Sequence, residues 1–308
     1  MRLVAASRAK HGVMRVFPLS GMRCFVQKYL MLSHVPWLER WLEPRRLALA
    51  AIAWCGLLPV PAFAAGCLLA PQGEGRVTQV IDARTLRLDD GRDVILVGIE
   101  PVAPDDGSDA GKAKANGIAA LSAIVAGRDI TLHGEDDTPD RYGRQPALVF
   151  VAGSDTSVQA TLLTQGDALV AATVTDKDCA AELVAAEAAA RAGKKGIWGN
   201  ASAIKNAESP GDILSGIGQF MVVEGRVLSV RQAGAMTYLN FGRNWTRGFA
   251  VTIPKRMMGT IEAAGILLKS LENKKIRVRG WVEARGGPMG GPRIEVRRVG
   301  QIERLGEN

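Results

Sequence analysis

The chain has 308 residues, 39 of them Lys or Arg and 31 Asp or Glu, for a formal charge of +8. That length accommodates two domains. The first 50 residues hold nine of the basic residues against only Glu39 and Glu43, or +7 of the total. The overall basicity therefore excludes any argument for a nucleic-acid partner from net charge alone.

In chain order, this basic stretch runs into an apolar segment, Leu47 to Val60, and then into Ala62-Phe63-Ala64. A basic region, an apolar core and a small-residue Ala-x-Ala site describe a secretory leader over residues 1–65. Such a leader engages the membrane export machinery and places the protein in the periplasm or cell envelope of a bacterium. The apolar segment, about 14 residues, is short for a membrane span; a membrane anchor or a buried core helix is the alternative. A start at Met22 or Met31 would leave a leader of ordinary length.

Two cysteines follow the leader, Cys67 and Cys179. Disulfides persist in exported proteins, so a Cys67–Cys179 bond is expected. Ala64-Ala65-Gly66-Cys67 also roughly resembles a lipobox, which would make Cys67 a lipid anchor, although the usual Leu three residues before the cysteine is missing.

The remainder splits by charge. Residues 51–203 carry 13 Lys/Arg against 20 Asp/Glu, a net −7, and residues 204–308 carry 17 against 9, a net +8. Such asymmetry predicts two domains with different partners, or with each other as partner. We expect one domain over 66–200, a polar linker over 201–217 and a basic domain over 218–308.

Arg76 to Ile81 is β-branched and Thr85 to Leu88 alternates, followed by a turn at Asp89-Asp90-Gly91-Arg92 and a third strand, Val94 to Ile99. Pro101 to Asp109 reads as a loop. Lys112 to Val125 has helical spacing at Ile118, Leu121, Ile124 and Val125. Arg128 to Leu132 and Ala147 to Val151 are further strands, and Val158–Gln165 and Ala180–Lys194 are helices. The order β-β-β-α-β-β-α-α fits a closed five-stranded barrel capped by helices. Past the linker, strands are expected at Phe220 to Val230, Thr237 to Phe241, Gly248 to Ile253, Lys275 to Val282 and Pro292 to Val296, with one helix over Lys255 to Leu271. The fold class is thus mainly β with helices (α+β): a five-stranded OB-fold barrel followed by a second OB-like barrel.

Between the last two strands of the first domain lies Asp140-Arg141-Tyr142-Gly143-Arg144, a cation, an aromatic face and a tight turn in five residues. With Val80-Ile81-Asp82-Ala83-Arg84-Thr85, Leu162 to Gly166, Glu182 to Glu187 and Gly196-Ile197-Trp198, it resembles the thermonuclease (staphylococcal-nuclease-like) family over residues 75–199. The resemblance implies an OB-fold barrel and a calcium-dependent phosphodiesterase acting on DNA or RNA, with carboxylates holding the ion and two arginines neutralising charge on the phosphate.

By that resemblance Arg144 matches a catalytic arginine, with Arg141 and Tyr142 flanking it. Glu100 matches a calcium-ligating Asp, and Asp82 an acid of the outer shell. The other positions depart from the family. Arg84 stands where the principal calcium ligand belongs, and a guanidinium has donors and no lone pair for a cation. Ile95 replaces the other arginine and Ala103 is nearest to the general-base glutamate, with Asp105, Asp106 and Asp109 following. Arg84 either grips a phosphate together with Arg144 or pairs internally with Asp82 or Glu100.

The second domain interleaves basic and aromatic residues. Tyr238, Arg243, Trp245, Arg277 and Arg279 are candidate contacts to a polyanion, single-stranded nucleic acid first; Phe249 and Trp281 alternate on strands and read rather as core. The expected function is an exported thermonuclease-like protein with a degenerate site, binding nucleic acid or another polyanion and requiring no cofactor. The alternatives are an active calcium-dependent nuclease and a structural envelope protein whose two domains dock together.

Overall fold

A long first strand, β1 (Ala70–Asp82), organises the first lobe. Its first half pairs with β5 (Asp129–Gly134) and its second half with β2 (Thr85–Leu88). With β3 (Asp93–Leu96) and β6 (Gln145–Val151) these strands close a barrel in the order β1-β2-β3-β6-β5, the only parallel pair in it being β3 with β6. The computed structural model describes residue 67 and residues 69–103, 110–286 and 290–306. The expected leader, the residues preceding Cys67 and the acids Asp105, Asp106 and Asp109 lie outside them. Among the described residues no helix is long and apolar enough to cross a membrane.

The barrel fills because alternate residues of its strands point inward. Leu86, Leu88, Val94, Leu96, Ile130, Leu132 and Val149 are buried together, with Leu121 and Val125 of helix α1 (Ala110–Val125) against them. Helix α2 (Val158–Gln165) starts at Ser157, whose side chain accepts the N–H of Ala160, and stops at Gly166 in the left-handed conformation. Helix α3 (Lys177–Ala192) starts at Asp176, whose carboxylate accepts the N–H groups of Asp178 and Cys179. These are side-chain caps of the usual kind, each satisfying a donor that the helix itself leaves unpaired. The first turn of α3 also holds Cys179, which is bonded to Cys67. With its sulfur in that bond, Cys67 has none to offer a lipid.

The third strand is shorter than its sequence suggests. It ends at Leu96, and Gly98 turns the chain with φ +81°. A Cβ there would lie 2.5 Å from Leu183 Cδ1, so both backbone angle and space require glycine. The turn sends Ile99–Pro101 off as a separate strand, β4, which pairs with β7 (Ala168–Val170).

The second lobe contains β8 (Ile204–Asn206), β9 (Phe220–Arg226), β10 (Ser229–Ala233), β11 (Met236–Asn240), β12 (Ala250–Pro254), β13 (Lys275–Ala284), β14 (Pro292–Glu295) and β15 (Ile302–Arg304). Their order is β10-β11-β12-β14-β13-β9-β8, with β15 also on β13. Only Val227 and Leu228 separate β9 from β10. One bent first strand therefore pairs with the second strand at one end and with β13 at the other, as β1 does in the first lobe. The parallel pairing of β12 with β14 falls at the equivalent place; β8 also pairs in parallel, with β9.

Two expectations change here. The helix expected over 255–271 is broken: α5 covers only Met258–Ala263, flanked by single 3-10 turns, because Gly265 takes φ +79°. The stretch 201–217, read as a linker, is built into the second lobe: β8 pairs with β9, and Ile213 of the short helix α4 (Pro210–Leu214) is fully buried.

The lobes share a small core. Leu169, Ala171, Ala190 and Trp198 of the first pack with Phe220 and Val222 of the second. Arg279 of β13 reaches across to Glu187 of α3. The described residues accordingly form one compact unit.

Candidate functional site

The pentapeptide is a self-contained turn. Asp140 Oδ1 accepts the backbone N–H of Tyr142 at 2.9 Å and of Arg144 at 3.0 Å. Its Oδ2 accepts Arg144 Nε at 2.9 Å and Nη2 at 2.7 Å, a two-pronged grip that suits a guanidinium. Burial pushes the Asp140 carboxyl up, but the bonds from Arg144 and Tyr142 outweigh it and hold it below its usual range. The Tyr142 ring is 65 % exposed, with Arg141 4.7 Å and Arg144 5.1 Å from its centre. Arg144 is thus engaged by a carboxylate of its own turn.

Arg84 is held separately. Its backbone N–H donates to Asp82 Oδ1 at 2.9 Å, and its Nη1 donates to Glu100 Oε1 at 2.6 Å. The Glu100 side chain is only 8 % exposed. Burial pushes its carboxyl above the usual range, further than Arg84 pulls it down, and Asp82 adds to the rise. Of the two arrangements open to Arg84, the internal pair with Glu100 is the one formed. Arg84 and Arg144 are bound to different carboxylates.

This donor set does not fit calcium. The ion takes six to eight oxygen ligands. Glu100, expected as a ligand, instead faces a guanidinium, and Asp82 is occupied by a backbone donor. Among the described residues no three Asp, Glu, His or Cys side chains gather where they could hold a metal. Ile95 is part of the barrel wall, in register with Thr85 and Pro146, and only 9 % exposed. Ala103 faces away towards the second lobe, lining a cavity of about 40 Å³ with Phe220 and Met221.

In the second lobe the expected contacts divide. Arg277 and Arg279 are not on a ligand-facing surface. Arg277 donates to Glu224 at 2.9 and 2.6 Å and to Glu303 at 2.9 and 2.8 Å. Arg279 donates to Glu187 and to the carbonyl of Val170. Both are buried; their place on one face of β13 turns them to acids from β9, β15 and α3 rather than to solvent. Phe241 and Phe249 pack against each other in the core, while Trp281 is half exposed, edge-on to Phe220.

Tyr238 and Trp245 line a groove of about 690 Å³, with Arg231, Asn240, Thr246 and Arg285 also on its walls. Trp245 is 68 % exposed, in a loop between β11 and β12 whose other exposed residues include Arg243 and Arg247. Asn244 holds this loop in shape, its side-chain oxygen accepting the N–H groups of Thr246 at 3.1 Å and Arg247 at 3.2 Å. Arg231 and Arg285 are absent from the sequence-based set. Arg231 is the cross-strand partner of Tyr238, and counting outward from the turn at Gly234 would have found it. Arg285 follows β13 and has no comparable signal.

A family model described as Staphylococcal nuclease homologue matches residues 110–200. That span is staphylococcal-nuclease-like and includes the pentapeptide, α2, α3 and Trp198; the match does not extend to Arg84, Ile95 and Glu100 or to the second lobe. No curated protein matches the chain.

Proposed function

We propose that this protein is an exported, non-hydrolysing relative of the thermonucleases that binds single-stranded nucleic acid. The nuclease-like span 110–200 supports a nucleic-acid role. The observation that carries the loss of hydrolysis is the 2.6 Å contact of Arg84 with Glu100. In the enzymes it resembles, a cation at this place polarises the phosphate and supplies the attacking water. A guanidinium can offset charge there, but it activates no water. Losing one well-placed electrostatic group lowers a rate by about a hundred- to a thousandfold, and here Ile95 and Ala103 stand at two further catalytic positions.

Charge favours binding through the second lobe. Residues 51–203 carry a net −7 and repel a polyanion, and residues 204–308 carry +8. Incubating an end-labelled single-stranded oligonucleotide with the mature protein, in calcium and in chelator, tests the reading. Intact strands in both, with salt-sensitive retention, are expected. Calcium-dependent shortening would restore the nuclease.

The apolar cluster around Trp198 and Phe220 and the Arg279–Glu187 pair favour a second reading, in which the docked lobes serve a structural role in the envelope. Failure to retain any oligonucleotide would select it.

A further inference from the structure

We propose that the groove between β10, β11 and the loop carrying Trp245 is the nucleic-acid site, seating one or two unstacked bases on Trp245 and Tyr238 with the phosphates on Arg231, Arg243 and Arg247. The proposal rests on the nucleic-acid reading above and locates it.

Most cations along the sheet are already neutralised. Lys275 and Arg277 are paired with Glu224 and Glu303, Arg279 with Glu187, and Arg293 and Arg297 with Glu283 and Glu295, five cations to five carboxylates. These residues add little net field outside the protein. Arg231, Arg243 and Arg247 are exposed and have no carboxylate partner among the described residues. Arg231 lines the groove, Arg243 and Arg247 belong to the loop that carries Trp245, and no acid is among the lining residues. Arg285 adds a fixed charge at its wall, bonded to the carbonyls of Gly248 and Thr246 rather than to a carboxylate, with its buried Nε left without a partner.

Aromatic surface meets these free cations. An indole 68 % exposed is unusual for an apolar side chain of that size, and the backbone of its loop is fixed by Asn244 rather than free to fold over it. Exposed aromatic faces among unpaired arginines stack bases and neutralise phosphates without regard to sequence. A volume of about 690 Å³ is that of a small-ligand pocket and has room for one or two splayed bases. The two nucleic-acid-facing features thus coincide in one place, on a lobe with no family match.

The test is fluorescence anisotropy of a 5′-labelled oligo-dT with the full mature chain across a salt series. Trp245→Ala is expected to weaken binding about five- to 150-fold. Arg231→Ala is expected to make the log K against log salt slope shallower by about 0.7. Arg304→Ala, the same charge change at an exposed residue of β15, is expected to leave the slope unaltered. Because Trp245 and Arg231 are exposed, all three variants should unfold at the wild-type temperature. If wild type binds oligo-dT and both groove variants match it, the groove assignment is wrong while the nucleic-acid reading stands. If wild type binds no oligo-dT, that reading itself fails; binding of heparin alone would overturn both in favour of an acidic polysaccharide.

Discussion

Arg279 on β13 donates to both carboxylate oxygens of Glu187 on α3, at 2.9 and 2.8 Å, with side-chain exposures of 3 % and 1 %. The pair joins the nuclease-like barrel to the basic lobe beside the small apolar core that the two share. Glu187 also accepts the N–H of Val170 at 2.8 Å, so the same carboxylate fixes the strand that pairs with β4 and Glu100.

Removing Arg279 leaves the buried Glu187 with only the longer contact from Arg191 at 3.4 Å, and removing Glu187 leaves the buried Arg279 with only Glu303 at 3.6 Å. Arg279→Met or Glu187→Ala should each destabilise the protein by about 3–5 kcal/mol in denaturant unfolding. The double variant Arg279→Met, Glu187→Leu should recover most of that loss. A single variant within about 1 kcal/mol of wild type would mean the pair is hydrated in solution.

The disulfide links residues 112 apart in sequence. Closing a loop of that length restricts the unfolded chain by about 4–5 kcal/mol. Cys67→Ser with Cys179→Ser should therefore lower the melting temperature of the protein markedly. Intact mass should be two hydrogens below the reduced value, with no acyl chains. A lipid mass on Cys67 would contradict the bond.

Two carboxylates respond oppositely to pH. Burial pushes Glu224 up, but the bonds from Arg277 and Lys275 outweigh it and set it below its ordinary 4.5. Its folded pKa being depressed, its contribution is present above 4.5 and is lost as pH falls through the lower folded value. Glu224→Gln should lower stability at neutral pH and flatten the acid limb below pH 4.5. An unchanged acid limb would count against this ion pair.

Glu100 is raised instead, by burial first, against the pull of Arg84. Its contribution is complete below 4.5 and is lost as pH rises through the higher folded value. Arg84→Ala removes the opposing pull and should raise that value again. The variant should lose more stability at pH 8 than at pH 5, where the carboxyl can protonate. Equal losses at both would show that Arg84 does not govern Glu100.

Much of the barrel is legible in the amino-acid sequence alone, because its strands alternate and its helices carry helical spacing. The pentapeptide, the cysteine pair and the oddity of Arg84 are legible for the same local reason. What escapes depends on distant partners. Lys275, Arg277 and Arg279 alternate like an exposed basic face; only the acids of β9, β15 and α3 make it an interior one, and Glu187 is 92 residues from Arg279. The break after Leu96 falls at Gly98, whose positive φ and missing Cβ leave the space that Leu183 fills from an element far away in sequence. Arg231 and Arg285 meet Trp245 only once the hairpin register and the course of β13 are known.

If Arg84 has taken the place of the cation, the protein should have no use for calcium. Titrating calcium into the metal-stripped protein by calorimetry tests that replacement most directly. No binding isotherm is expected through millimolar calcium in wild type. One ion bound per chain, with the binding abolished by Glu100→Gln, would contradict it.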